Sequence, residues 1–400
     1  MEEAFNLTRE EWNRQVDDYI ADMNTLVGDV VASPEIQGSW PQNNSDVTFE
    51  AIRCWNWNIG NPDPLYNDRD YAENSCWGGV VASPGRFLNY IAEGAFLPTE
   101  RHGIIKGMNH MYGGTIYEYH DVLRAGTRLH IKDEFLGVIE KQVKNKPYRM
   151  LIETGRRHFL DESDREIVTV TANTVITCVY PEPREEGDSA VFGKVKRPFY
   201  EDAFLEKLHQ HYHDVMDGKY RRGAEVRFWE DVSEGEELPI LMKGPLDVVD
   251  GASFMCASGY RFGSGATKWS LVEPRKNCYD PETNEYVYPV VFHISDRMSH
   301  VMGYPITTVF GGFGEAWTSE IVTDWAGDAA FVKRLSHQMR RATFEGDVIT
   351  VKGHVVKKYV EDGEHLVDID MWTENQNGVI LVPSHATVRL LTKDSTEKHA

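Results

Sequence analysis

The ten residues IGNPDPLYND (Ile59–Asp68) bring Asn61, Asp63 and Tyr66 into one turn. Asn61 cannot take a proton as a general base. Tyr66, with an ordinary pKa near 10, is only about a thousandth ionised at pH 7. Asp63 is a carboxylate with no imidazole beside it in this loop. Asn, Asp and Pro are also ordinary turn formers, so turn chemistry alone accounts for the stretch. A proton exchanged near neutral pH calls for a histidine. His293 lies in YPVVFHISDRMSHVMGY (Tyr288–Tyr304), with the carboxyls of Asp280, Glu285 and Asp296 close to it in the chain.

Other groupings carry less. HQHYH (His209–His213) has three imidazoles, but its place on a helix between two halves predicts a solvated face rather than a metal site. GSGATK (Gly263–Lys268) lacks the full phosphate-loop pattern and the strand that should precede it. KNCYDPETNEY (Lys276–Tyr286) reads as an exposed turn.

A chain of 400 residues has room for two ordinary domains, and 41% hydrophobic with 26% charged residues is the profile of a soluble globular protein. The formal charge of −21 argues against a general nucleic-acid binder, which needs a basic face. An anionic ligand must then meet a local basic cluster: GKVKRP (Gly193–Pro198), Lys333–Arg334 or Arg340–Arg341. No apolar run approaches the roughly 20 residues of a membrane span. The acidic start MEEAFNLTREEW lacks the order of a signal peptide. Five scattered cysteines without a CxxC support neither a disulfide framework nor a zinc site. The expected setting is a reducing cytoplasm.

Thr8 to Val27 is predicted as an amphipathic helix opened by a capping box, Thr8 with Glu11. Strand alternation marks Ile167–Val179, Val348–Val360, His365–Thr373 and Val379–Leu391. The charged PEPREEGDS (Pro181–Ser189) and a helix over Tyr200–Gly218 read as a linker. On either side the chain repeats itself. Val47–Gly60 parallels Leu246–Gly259, a short helical run ending in glycine. A helix follows in each half, Pro84–Gly94 and Gly311–Gly327, and then a turn, Arg124–Leu129 and Phe344–Ile349, before long strands. A helix on an antiparallel sheet, made twice, is an α+β arrangement.

These residues resemble the MaoC-like dehydratases, the (R)-specific enoyl-CoA hydratases, in their double hot-dog form. The resemblance covers most of the chain. It rests on IGNPDPLYND, Tyr71–Leu88 and His110–Gly126 in one half, and on Val232–Leu246, Thr323–Asp328 and Phe344–Asp347 in the other. It implies an N-terminal hot-dog over 1–180, a linker over 181–222 and a C-terminal hot-dog over 223–400, each half an antiparallel sheet wrapped on a long central helix. It also implies hydration or dehydration of an acyl-CoA thioester, coenzyme A being part of the substrate and no other cofactor being needed. The partner is that thioester, with no nucleic acid and no membrane. A homo-oligomer is expected, or a pairing with a second hydratase subunit.

The family's loop runs G-D-x-N-P-x-H. In the N-terminal half Asn61 stands for the Asp, Asp63 for the Asn and Tyr66 for the His, so that half is expected to be vestigial. His293 takes the family's histidine position. Gly303 and Tyr304 follow it ten residues on, and Gly311 stands eighteen residues on, as Pro84 stands eighteen after Tyr66. The resemblance makes Gly311, at the start of the central helix, the backbone donor to the thioester oxygen. Pro84 has no N–H to give. Tyr288 falls where the family's Asp would be; the acidic partner of His293 is to be sought among Asp280, Glu285 and Asp296, between which the sequence does not choose, and Asp296 joins His293 and Gly311 as an expected catalytic residue. Tyr66, Asp63, Asn61, Tyr288, Arg340 and Arg341 are the expected substrate contacts. The alternative is an acyl-CoA-binding or structural subunit whose dyad has decayed; a thioesterase on the same fold is a third option.

Overall fold

Thr8 caps the first helix, Arg9–Met23, by the expected capping box. Its hydroxyl accepts from the Glu11 N–H while the Glu11 carboxylate accepts from the Thr8 N–H. The computed structural model describes residues 7–28, 30–32, 44–92, 105, 107–182, 189, 191–259, 278–280, 282–284, 286–287 and 289–394. Trp12, Val16, Tyr19 and Met23 bury one stripe of that helix against Phe135, Val138, Leu151 and Ile176.

Those residues belong to a ten-stranded antiparallel sheet. Its strands are β1 (Val30–Ala32), β2 (Met108–Tyr119), β3 (His130–Lys141), β4 (Tyr148–Leu160), β5 (Glu166–Val179), β6 (Leu241–Lys243), β7 (Phe331–Gln338), β8 (Ile349–Glu361), β9 (Glu364–Asn375) and β10 (Ile380–Arg389). Their order is β1-β3-β4-β5-β2-β7-β10-β9-β8-β6. The four stretches of strand alternation form β5, β8, β9 and β10 to within a residue or two at either end. The two antiparallel sheets expected, one from each half, join edge to edge, from Arg334 opposite Glu118 to Gln338 opposite Gly114. Gly114 permits the seam, because a Cβ there would stand 2.1 Å from the His337 carbonyl oxygen. Pairing these edges leaves neither open to another chain.

The internal repeat is visible bond by bond. Gly126 donates its N–H to Val47 O and Gly346 its own to Leu246 O, both at 2.7 Å and both with φ of +93°. Helices Phe49–Asn58 and Val248–Ala257 follow Val47 and Leu246, each leading to a positive-φ glycine, Gly60 or Gly259.

The central helices differ. In the C-terminal half the helix Gly312–Ala326 has 14 of its 15 residues buried. In the N-terminal half the expected helix over Pro84–Gly94 is, within the described residues, a five-residue 3₁₀ turn, Arg86–Tyr90. The physical reason is occupancy. Ser319 of the long helix lies 2.6 Å from where a Cβ on Gly85 would stand, so one helix already fills the space between the halves.

A helix buried all round must pair its charges. Glu320 meets Lys243 at 2.9 Å, and Glu315 meets Arg86 at 3.1 Å. Burial and the neighbouring Glu320 push the Asp324 carboxyl well above its ordinary range. The linker carries helix Asp202–Met216, which buries only Leu208. Contrary to a wholly solvated face, His211 is half-buried, accepts the Met242 N–H at 2.9 Å and stacks on Tyr220.

β3 and β4 hold a second buried pair, Asp133 and Arg157, both fully inaccessible and bonded at 2.6 and 2.8 Å. Glu153, equally inaccessible, has Tyr19 Oη at 3.3 Å, and burial pushes its carboxyl up to about 8. A carboxyl raised in the folded state stabilises the fold fully below its unfolded pKa near 4.5. That contribution is lost as pH rises towards 8, by roughly 3 kcal/mol at pH 7. Glu153→Gln removes this dependence. Its melting temperature should match wild type at pH 4 and exceed it at pH 8, measured by thermal denaturation across that range.

Candidate active site

His293 ends the 3₁₀ turn Pro289–His293 and packs on the strand that runs into the central helix. Its Nδ1–H donates to the Thr308 carbonyl at 2.8 Å, which fixes the tautomer and leaves Nε2 bare. Among the described residues Nε2 has no hydrogen-bond partner. The ring stacks on Phe310 at 3.8 Å and tilts against Phe292 at 3.9 Å. Burial in this aromatic setting lowers the imidazole to about 4, the Thr308 bond opposing it, so the ring is neutral at pH 7.

Two residues past Val309, Gly311 caps the central helix and Gly312 is its first residue. Their N–H groups have no acceptor among the described residues, and the helix dipole directs positive potential at this end. The structure thus sets a bare imidazole nitrogen on the segment that feeds two free backbone donors. Met339 closes the near side, its Cε 2.6 Å from a Cβ built on Gly311. Arg340 and Arg341 follow Met339 and are exposed; Arg340 bonds Gln338 at 2.6 Å.

Asp296 is not brought to His293. It opens the next short helix, where Oδ1 accepts from Thr307 N and Oγ1 and from Arg197, at 2.7–2.8 Å. Partial burial pushes its carboxyl up, but the bonds from Arg197 and Thr307 outweigh this and hold it at about 2. Asp280 is likewise committed, paired with Arg297 and bonded to the Glu282 N–H. Tyr288 and Glu285 lie outside the described residues, as does Gly263–Lys268. The Thr308 carbonyl therefore does the orienting that the sequence assigned to a carboxylate.

The N-terminal half shows the same place filled. Asn61 Oδ1 accepts the Asp63 N–H, and Asp63 Oδ1 caps a one-turn helix through the Leu65 N–H. Burial lifts the Asp63 carboxyl to about 6, Arg221 at 3.7 Å opposing it. Tyr66 is buried and its phenol pushed well above 10 by that burial. Gly85, the counterpart of Gly312, gives its N–H to Tyr119 Oη. The cavity lined by Asp63, Tyr66, Trp77, Pro84, Tyr119 and Asp328 measures about 60 Å³. That admits a few waters, whereas ligand pockets run to several hundred Å³.

Comparisons with known proteins bear on the frame around these sites. The model of the family described as "FAS1-like, dehydratase domain region" matches residues 39–170, about a third of the chain. No curated protein matches. A solved MaoC-like dehydratase aligns with 92% of this chain and 99% of its own, at 16% identity and a TM-score of 0.60. A Mycobacterium tuberculosis protein essential for survival during infection, described as having a double hot-dog fold, aligns with 91% of this chain and 96% of its own, at 13% identity and TM-score 0.52. The chain has the double hot-dog fold. A MaoC domain protein dehydratase from Chloroflexus aurantiacus covers 92% of this chain and 96% of its own, at 10% identity and TM-score 0.52.

Within the double hot-dog, one buried network escapes sequence reasoning. Arg86, from the N-terminal half, is 5% exposed and pairs with Glu315, which is fully inaccessible and also accepts from Tyr112 and Tyr117. The only signal for it in the sequence is a set of acidic residues, Glu315, Glu320 and Asp324, on an otherwise apolar helix. Among the described residues no cluster of three or more His, Cys, Asp or Glu could hold a metal, and no helix is long and apolar enough to cross a membrane. Cys54, Cys76, Cys178 and Cys256 are free thiols.

Proposed function

We propose that this double hot-dog protein is a hydro-lyase that adds water to a 2-enoyl-CoA thioester, or removes it from the 3-hydroxyacyl-CoA. The observation that carries the reading is the bare Nε2 of His293 on a ring stacked against Phe310, the residue that leads directly into the unpaired N–H groups of Gly311 and Gly312. Water attacks C3 while Nε2 takes its proton. The electrons move to the thioester oxygen, held by the helix-start N–H groups as an enolate. The imidazolium then returns a proton to C2. The exposed Arg340 and Arg341, following Met339, suit the phosphates of coenzyme A. The N-terminal loop has no imidazole, and its one carboxyl, Asp63, caps the Leu65 turn beside Arg221.

An imidazole at about 4 is a weak base, and no described carboxylate steadies its charged form. This favours a slower enzyme than one with an Asp–His pair, and it gives the reading a signature. The acid limb of kcat/KM for enoyl-CoA hydration is expected near pH 4, with a flat profile from pH 5.5 to 8. A limb near 6.5 would assign the base to a different, more solvated histidine. The lack of a carboxylate also supports the second reading, a non-catalytic acyl-CoA-binding subunit. Binding of saturated acyl-CoA without turnover of any enoyl-CoA would favour that reading.

A further inference from the structure

The N-terminal loop has Tyr66 in place of a histidine, yet its half delivers a buried cation to the other half's site. Arg86 Nε would stand 2.1 Å from a Cβ on Gly312 and its Cδ 2.5 Å from the same point. The guanidinium therefore lies directly against the first residue of the central helix, in space that only a glycine leaves open. Its carbon sits 4.3 Å from the centre of the Tyr112 ring and 5.9 Å from that of Phe254. Nη1 reaches Glu315, which is on the same helix face one turn further in. The cation is thus at the Gly312 end of the pair and the anion is deeper along the helix.

We propose that Arg86 is a positioning residue for the reaction of the C-terminal half. It holds a permanent positive charge at the start of the central helix, reinforcing the Gly311 and Gly312 N–H groups where the thioester oxygen becomes negative. This rests on the hydro-lyase reading and deepens it. A helix start presents only partial charges, and a carboxylate four residues from Gly311 would oppose an enolate there. A guanidinium between the two reverses that opposition and stays charged at every working pH. Its surroundings are fixed before substrate arrives, as stabilisation of a developing charge requires. The catalytic half therefore depends on its partner half for a charge as well as for a packing surface.

The test separates charge from packing. Arg86→Met leaves Glu315 buried and unpaired, so both the melting temperature and kcat should fall. Arg86→Met with Glu315→Gln removes both charges while keeping an acceptor for Tyr112 and Tyr117. Its melting temperature should largely recover while kcat for enoyl-CoA hydration stays down by about 100-fold, with KM changed by no more than about threefold. Arg86→Lys, which keeps the cation, should hold kcat within about tenfold of wild type. Recovery of kcat together with stability in the double variant would overturn the inference and leave the hydro-lyase reading standing. A wild-type protein without turnover overturns both. Should the double variant fail to fold, Arg86→Gln compared with Arg86→Lys decides, and equal kcat in those two overturns the inference.

Discussion

His293→Ala is expected to lower kcat for enoyl-CoA hydration by about 10²- to 10⁴-fold, the range that a positioned general base contributes. The melting temperature should move little, because the side chain keeps some exposure and its hydrogen bonds all go to Thr308 through Nδ1. Tyr66→Phe is the matched control in the other half. Its hydroxyl lies beside a cavity of about 60 Å³, too small for an acyl thioester, and kcat should stay within about twofold of wild type. The pair of substitutions distinguishes the halves with one steady-state assay. A loss confined to the Tyr66 variant would move the chemistry to the N-terminal loop.

The second large effect is on stability. Gly312→Ala puts a methyl group 2.1 Å from Arg86 Nε and 2.7 Å from Phe254 Cζ. Neither neighbour is the free end of a flexible chain: Arg86 is held by Glu315, and Phe254 packs on Phe310 and Phe313. The guanidinium must leave the pair, stranding a fully buried carboxylate, and breaking such pairs costs about 3–5 kcal/mol. Chemical denaturation should show the unfolding free energy reduced by that amount, through a lower midpoint at an unchanged slope. Gly79→Ala, where the added methyl meets nothing within 4 Å, should stay within about 0.5 kcal/mol of wild type. Equal midpoints for the two variants would mean that Arg86 is not seated against the helix start.

Local signals in the chain proved readable. The Thr8–Glu11 capping box, the alternation in β5 and β8 to β10, and the duplication of Val47 and Leu246 with their glycine turns all depend on neighbours within a few residues, or on a pattern written twice. What could not be read depends on partners far apart. The helix expected over Pro84–Gly94 has helix-forming residues, but the other half's helix holds the place. Asp296, one of three candidate partners, is three residues from His293, yet Arg197, 99 positions away, and Thr307 claim its carboxylate. The Arg86–Glu315 pair spans 229 positions, and no spacing rule reaches that far. His293 itself stood out by its distance to Gly311, while its depressed basicity comes from Phe292 and Phe310 closing around it.

Consumption of the double bond of an enoyl thioester by the purified protein tests the hydro-lyase role most directly. The measurement is the loss of 2-enoyl-CoA ultraviolet absorbance over a series of acyl lengths, at pH 7. We expect absorbance to fall for at least one acyl length, with a 3-hydroxyacyl-CoA as product. No loss at any acyl length, in protein that still binds the saturated esters, would contradict a catalytic role for His293 and leave a binding subunit in its place.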